Sequence, residues 1–182
     1  MVNRELIINK SNDNLYDRYY YLWLKTTAKN LSDGRWNALD VENLIEEIES
    51  IGRSEKRAIE SNLVVLLLHL LTYLLQRRLY QPSMQTGRSL GQASLATAML
   101  PSPSARNWKG SILEHRRRLQ KDLKASPSLN NYLEEVFAEC YEDAREQAAA
   151  ETGLPVEAFP IASPFTPDEA LNKDYFVESQ AE

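Results

Sequence analysis

Cysteine and histidine are scarce in this sequence. The first scarcity excludes an internal disulfide, and the second excludes one kind of metal-binding motif. The 182 residues include one cysteine, Cys140, so no disulfide can form within the chain, and we expect a cytosolic location. Neither of the two histidines, His69 and His115, follows a glutamate by three residues. The Glu-x-x-His motif of ferritin-like dimetal bundles is therefore missing. The sequence also has no glycine-rich phosphate loop and no alternating strand pattern.

Long apolar segments are missing as well. The most apolar run, residues 63–75, is 13 residues long, whereas a membrane-spanning helix needs about 20. The N-terminal residues include only three adjacent apolar side chains, Leu6 to Ile8, which does not resemble a secretory signal. We therefore expect no membrane partner.

The run 63–75 is typical of a helix that is buried around most of its circumference. It consists mainly of leucine, which favours helix over strand. Such a helix needs other helices around it. The sequence therefore predicts an all-α fold, a compact bundle of four main helices around a central buried helix, with a short C-terminal helix and a docked tail.

Apolar residues at helical spacing predict which sides of the flanking helices face inward. The first helix would bury Leu15, Tyr19, Leu22, Trp23 and Thr26. The second, capped by Asp40, would bury Val41, Leu44, Ile45, Ile48 and Ile51. A kink or break is expected at residues 52–58, because they follow Gly52 and contain no large apolar side chain.

The C-terminal third predicts one long helix and one short one. Ser126 and Pro127 would open a helix that ends at Gly153, with these residues on its inner stripe: Leu129, Leu133, Val136, Phe137, Cys140, Ala144 and Ala148. Residues 166–169, Thr-Pro-Asp-Glu, have the form of a capping box. Residues 1–12 are predicted to be a flexible tail, residues 13–182 a single helical domain, and residues 83–107 an inserted loop rich in Ser, Gly and Pro.

Charge is strongly segregated along the chain. Residues 76–124 carry 10 Lys or Arg and 2 Asp or Glu, whereas residues 125–182 carry 2 and 13. The two segments could neutralise each other, which is the commoner arrangement, or each could face a partner. The basic helix within 106–124 suggests nucleic-acid binding as an alternative function, through Arg116, Arg117, Lys121 and Lys124.

Acidic residues at helical spacing suggest a second alternative, a carboxylate-rich metal-binding protein or hydrolase. Its candidate ligands are Glu46, Glu49, His69 and Glu142. A solvated helix face with Lys and Arg partners is the commoner explanation of such residues. Likewise, His69 within an apolar run is usually structural, and Cys140 on an apolar stripe is usually a core residue rather than a nucleophile.

Several strings in this order resemble domain-of-unknown-function family 29, a bacterial family. They include Leu44-Ile-Glu-Glu-Ile-Glu-Ser-Ile-Gly-Arg-Ser-Glu55, His115-Arg-Arg-Arg118, Tyr141-Glu-Asp-Ala-Arg145 and Glu151-Thr-Gly-Leu-Pro155. The resemblance covers about residues 16–176 and implies an all-α fold. It implies no reaction, cofactor or catalytic residue. Among the shared polar residues we predict a structural cluster of Glu46, Tyr141, Asp143 and Arg145, in which an arginine and carboxylates hold helices in register.

No catalytic constellation emerges from these residues, and no cofactor is indicated. The sequence therefore favours an uncharacterised cytosolic helical protein that is a non-enzymatic protein-interaction or accessory domain. Its expected partner is another protein or a second copy in a homodimer.

Overall fold

The computed structural model describes residues 15–80 and 105–175, with side chains described in 15–75 and 108–175. Every regular element in these ranges is helical, which confirms the predicted all-α fold. The elements are α1 (Tyr20–Ser32), α2 (Val41–Tyr80), α3 (Ala105–Ala125), α4 (Leu129–Thr152) and α5 (Pro167–Leu171), with short 3-10 turns at Trp36–Ala38 and Val156–Ala158. The predicted tail at 1–12 and most of the predicted loop at 83–107 lie outside the described residues, and residues 105–107 begin α3.

The chain divides into two compact units, residues 1–54 and residues 55–182. The division falls inside α2, so that this helix contributes residues to both units. The assignment of residues 13–182 to a single domain stays a prediction.

Helix α2 runs without interruption for 40 residues, so the predicted kink or break at 52–58 is wrong. Gly52 has open space around it and costs only about 1 kcal/mol relative to alanine. The residues after it include good helix formers, and Arg53 pairs with Glu49 one turn earlier at 3.2 Å. A single glycine without a proline is therefore too weak to end this helix.

The core of the second unit surrounds the leucine-rich part of α2. Ile59, Leu63, Leu66, Leu67, Leu70 and Leu71 are completely buried. They pack with α3 through Ile112 and Leu119, and with α4 through the predicted stripe that includes Leu133, Phe137 and Ala144. The C-terminal segment adds Phe159, Phe165 and Ala170 to the same core, which confirms that this tail is docked.

The predicted end of α4 and the predicted start of α5 are also confirmed. Helix α4 ends at Gly153, whose φ of 69° lies in the left-handed region that favours glycine. Thr166 and Glu169 form the predicted capping box at the start of α5, with each side chain bonded to the other residue's backbone N–H. The start of α4 differs, because the helix begins at Leu129, after a turn at Pro127 and Ser128.

The first unit has a much smaller buried interior. Residues 15–18 are helical, Tyr19 interrupts the helix, and α1 follows. Trp23 is the only large apolar side chain that is buried among described residues 15–54, and the buried residues of α1 are Trp23, Thr27 and Asn30. The predicted inner stripe is therefore wrong at Tyr19 and Leu22, which are more than half exposed. It is right at Trp23, and its other two members, Leu15 and Thr26, are half-buried.

One helix in the described part of the chain, Val41–Leu75, is long and apolar enough to cross a membrane by length and composition. Its most apolar window of 18 residues has a mean hydropathy of 1.8, and 56% of that window is buried inside the protein. The core helix of a folded protein passes the same test.

Leu70→Ala should lower the free energy of unfolding by about 2–5 kcal/mol, because the site is completely buried and a cavity would remain. Urea denaturation followed by circular dichroism measures this change. Leu113→Ala is the matched control, since Leu113 is 46% exposed, and it should change stability by less than about 1 kcal/mol. Equal losses in both variants would contradict the buried position of the leucine segment.

Candidate functional site

Helix α1 and the start of α2 form an antiparallel pair held by polar contacts. The hydroxyls of Tyr16 and Tyr20 donate to the two carboxylate oxygens of Glu47, at 2.6 and 2.7 Å. The indole Nε1 of Trp23 donates to Asp40 at 3.1 Å, which also caps α2. The two tyrosine bonds hold the pKa of the Glu47 carboxyl below its ordinary value. The bond with Glu47 raises the pKa of Tyr16 to about 12.

An aromatic cluster of Tyr16, Tyr20 and Trp23 lies beside this polar contact. Tyr16 meets Trp23 edge to face at 4.9 Å between ring centroids, and Tyr20 stacks on Trp23 at 6.0 Å. Below it, the Asn30 side-chain amide donates to the Ala38 carbonyl at 3.1 Å. Together these contacts fix which side of each helix faces the other.

Each helix of the pair also carries an apolar stripe. The stripe lies about 100° around the helix axis from the side that contacts the other helix. Successive residues are rotated by about 100°, so Val41, Ile45 and Ile48 lie ahead of the side that carries Asp40 and Glu47. On α1, Leu24 and Leu31 lie ahead of Trp23 by a similar angle. Because both stripes are displaced in the same sense on antiparallel helices, they lie on the same side of the pair.

We call this surface the apolar face. Its members are all more than a third exposed: Leu24 39%, Leu31 38%, Val41 53%, Ile45 53% and Ile48 61%. Tyr21 (70%) and Ile51 (60%) are exposed as well, but by the same rotation Tyr21 lies on the far side of α1 and Ile51 on the side of α2 that carries Glu47. The prediction that Val41, Ile45, Ile48 and Ile51 face inward is therefore wrong. The helical spacing was read correctly, but polar side chains, not these residues, occupy the contact with α1.

The predicted metal ligands are divided between the units. Glu46 and Glu49 belong to the first unit, where both are exposed, and Glu49 pairs with Arg53. His69 and Glu142 belong to the second unit, where Glu142 is exposed. Across residues 15–75 and 108–175, no group of three or more His, Cys, Asp or Glu side chains could hold a metal ion. The metal site stays a prediction.

The two histidines of the chain come together in the second unit. His115 Nδ1 lies 2.9 Å from the Asn62 amide oxygen, whose own NH₂ donates to the Ala58 carbonyl at 2.7 Å. His69 Nδ1 is buried and has no hydrogen-bond partner among the described residues. Burial lowers the pKa of both imidazoles, and the neighbouring His115 lowers the pKa of His69 further. Both shifts favour the neutral form of the rings.

Arg116 does not belong to a nucleic-acid surface, which corrects that prediction. The side chain is 1% exposed, and it donates from Nε to the Ala170 carbonyl at 2.7 Å and from Nη2 to the Tyr175 carbonyl at 2.8 Å. It thereby holds the C-terminal segment against α3. Its spacing with Ile112, Leu119 and Leu123 on one helix side was the sequence signal that indicated burial.

The other residues of the predicted basic surface are exposed. Arg117 and Arg118 both pair with Glu114, at 3.0 and 2.9 Å, and these contacts lower the pKa of the Glu114 carboxyl. Lys121 and Lys124 point to solvent. Nucleic-acid binding through Arg117, Lys121 and Lys124 stays a prediction.

The structure brings together part of the predicted structural cluster. The Tyr141 hydroxyl donates to the Pro160 carbonyl at 2.7 Å, and the Arg145 guanidinium is close enough to lower the pKa of Tyr141 against the larger effect of burial, which raises it. Asp143 is exposed on the same helix, and Glu46 belongs to the other unit. On the same helix Cys140 is a core residue, 3% exposed, and burial raises the pKa of its thiol to about 11, which disfavours the thiolate.

The histidine pair predicts a loss of stability on acidification. In the unfolded chain each imidazole binds a proton near its ordinary pKa of about 6.5, whereas in the folded protein the pKa is lower. Stability should therefore be full above about pH 7 and fall as the pH drops through 6.5 toward the folded values. Urea unfolding between about pH 7.5 and 5.5 measures this slope.

The double variant His69→Gln, His115→Gln is the control, because the chain has no other histidine. Its stability should change much less over the same pH range. A wild-type profile that is flat, or that rises toward acid, would contradict neutral buried imidazoles.

Arg116→Met should lower the free energy of unfolding by about 1–3 kcal/mol, since the buried Ala170 carbonyl and the partly buried Tyr175 carbonyl would lose this donor. Hydrogen exchange of the amides in 166–175 should become faster. Arg117→Met, at a side chain that is 78% exposed, is the matched control and should leave both quantities nearly unchanged. Unchanged exchange in the Arg116 variant would contradict its anchoring role.

Comparison with protein families matches residues 15–176 to the family described as Domain of unknown function DUF29. Neither the curated proteins nor the solved structures gave a match to this chain. The matched range includes both helices of the apolar face, the histidine pair and the segment anchored by Arg116. Because the match extends over most of the 182 residues, the chain belongs to the DUF29 family.

Proposed function

We propose that this protein is a non-enzymatic interaction domain of the cytosol that binds another polypeptide through the apolar face. One observation supports this most strongly. Of 13 large hydrophobic side chains that are exposed among the described residues, 11 lie between Tyr19 and Ile51. The other two, Leu113 and Ile161, are isolated positions in the second unit.

The clustering of these exposed side chains is stronger evidence for an interaction site than their number. Single exposed hydrophobic residues are normal on any protein, whereas a contiguous apolar patch of several hundred Å² marks an interaction site. The apolar face has five such residues, which helical spacing places on one side of a helix pair.

The weak interior of the first unit supports the same proposal. Trp23 is its only buried large apolar side chain among residues 15–54, and the antiparallel contact consists of the aromatic cluster and hydrogen bonds. Such bonds contribute only about 0.5–1.5 kcal/mol each. Covering the apolar face would therefore add hydrophobic stabilisation that the helix pair does not obtain from its own interior.

Site-specific photo-crosslinking in cells of the source organism tests the proposal. A photoreactive amino acid at Ile48 should give a discrete adduct that contains this chain and a bound polypeptide. The same amino acid at Ile161, which is 84% exposed and belongs to the second unit, is the matched control and should give none. Absence of an adduct at Ile45, Ile48 and Ile51 alike would contradict the proposal.

A further inference from the structure

We propose that the exposed cations of α3 bind the phosphate backbone of double-stranded nucleic acid without reading its sequence. This surface lies in the second unit, and its role does not depend on the apolar face or on the proposed function. The segregated charge of the sequence left two arrangements open, in which the basic and acidic segments neutralise each other or each faces a partner. The ion pairs of α3 and α4 distinguish these arrangements.

The cations of α3 are not neutralised by the acidic C-terminal part of the chain. Arg117 and Arg118 both pair with Glu114 on their own helix, and one carboxylate offsets only one of the two guanidinium charges. Lys121 and Lys124 are exposed and form no ion pair with the side chains described in 15–75 and 108–175. These side chains therefore favour the arrangement in which the basic segment faces a partner.

The acidic side chains of α4 are also exposed, and within the same described ranges they form no ion pair. They include Glu134, Glu135, Glu139, Glu142, Asp143 and Glu146. Such a surface repels a polyanion, whereas the cations of α3 attract it. A nucleic acid would therefore contact this unit through α3 and not through α4.

Three of the cations, Arg117, Lys121 and Lys124, form what we call the basic stripe. At about 100° and 1.5 Å per residue, they lie within about 60° of one another and extend over about 10 Å. The basic stripe lies about 150° around the axis from the buried side of α3, which carries Ile112 and Leu119. A duplex has about one phosphate charge per 1.7 Å of its axis, so each cation of the stripe can meet a phosphate.

The other side chains on this part of α3 indicate which polyanion fits. Leu113 is the only large hydrophobic side chain that is exposed in residues 108–125, so the stripe has no apolar surface to insert into a membrane. Protein interfaces usually have an apolar centre and few lysines. Single strands are usually held by stacking on exposed aromatic side chains, and none is exposed in residues 108–125. A duplex backbone needs only cations at a suitable spacing.

Fluorescence anisotropy of the full chain with a labelled duplex of about 20 base pairs tests the proposal, with DNA and RNA duplexes measured separately. Three phosphate contacts predict a slope of about −2.7 for the logarithm of the association constant against the logarithm of the salt concentration. The affinity should therefore fall about 40-fold between about 50 and 200 mM salt. Binding of either duplex with this slope supports the proposal, and comparison of the two shows which is preferred.

Neutral substitutions connect the salt slope to the basic stripe. Lys121→Gln should reduce the magnitude of the slope by about 0.9, and the double variant Lys121→Gln, Lys124→Gln should reduce it by about 1.8. Lys56→Gln is the matched control and should leave the slope unchanged, because Lys56 lies over the Tyr132 ring of α4, at 4.3 Å from the ring centroid. All three lysines are exposed, so circular dichroism should show the same helix content in every variant.

Two results would overturn the proposal. One is the absence of duplex binding at about 50 mM salt, and the other is an equal slope in the wild type and the double variant. Phosphatidylserine vesicles and poly-glutamate are the comparison polyanions. If either of them binds and neither duplex does, the partner is a membrane or an acidic polypeptide and the proposal fails. None of these measurements involves the apolar face, so such a failure leaves the proposed function unaffected.

Discussion

The structure depends on the burial of apolar surface along one helix, and that burial is uneven. From Ile59 to Leu74, α2 is surrounded by α3, α4 and the C-terminal segment on nearly every side. From Val41 to Ile51, the same helix carries apolar side chains that are more than half exposed. Along α2, the hydrophobic contribution of each buried side chain, about 1.5–3 kcal/mol, is therefore obtained in the second unit, whereas the large buried apolar side chain of the first unit is Trp23 on α1. The first unit is held chiefly by the aromatic cluster and the bonds to Glu47 and Asp40.

Much of the second unit could be predicted from the sequence because its signals are local or strongly periodic. The leucine-rich run indicated a buried helix, and Gly153 and Thr166 marked helix ends by backbone chemistry that depends on few neighbours. The inner stripe of α4 was predicted for the same reason. Such signals need no knowledge of what lies across the interface.

The exposed isoleucines of α2 could not be predicted correctly, and the reason is physical. Helical spacing shows which residues share a side, but it does not show whether anything covers that side. Here the contact with α1 uses Asp40 and Glu47, because tyrosine and tryptophan can both pack and donate hydrogen bonds. Leu66 and Ile48 therefore follow the same helical spacing, yet Leu66 is buried and Ile48 is exposed. The break predicted after Gly52 was wrong for a related reason. A glycine costs a helix only about 1 kcal/mol relative to alanine, which is too little to interrupt a long helix.

Neighbouring arginines show how context decides the role of a charged side chain. Arg116 and Arg117 are adjacent in sequence, yet one is buried against backbone carbonyls and the other is 78% exposed beside Glu114. Net charge along a segment consequently overstates the surface that is available to a partner. The +8 of residues 76–124 includes at least one charge that is used inside the fold.

The apolar face links folding of the first unit to association. A helix pair that buries one tryptophan gains little from its own interior, so a bound partner would supply much of the free energy that orders it. Anything that binds the ordered form but not the unfolded form stabilises it in proportion to the logarithm of its concentration. The order of residues 15–54 should then follow partner concentration, whereas the core around Leu66 and Leu70 should not. This difference follows from where the apolar surface is covered, whichever polypeptide covers it.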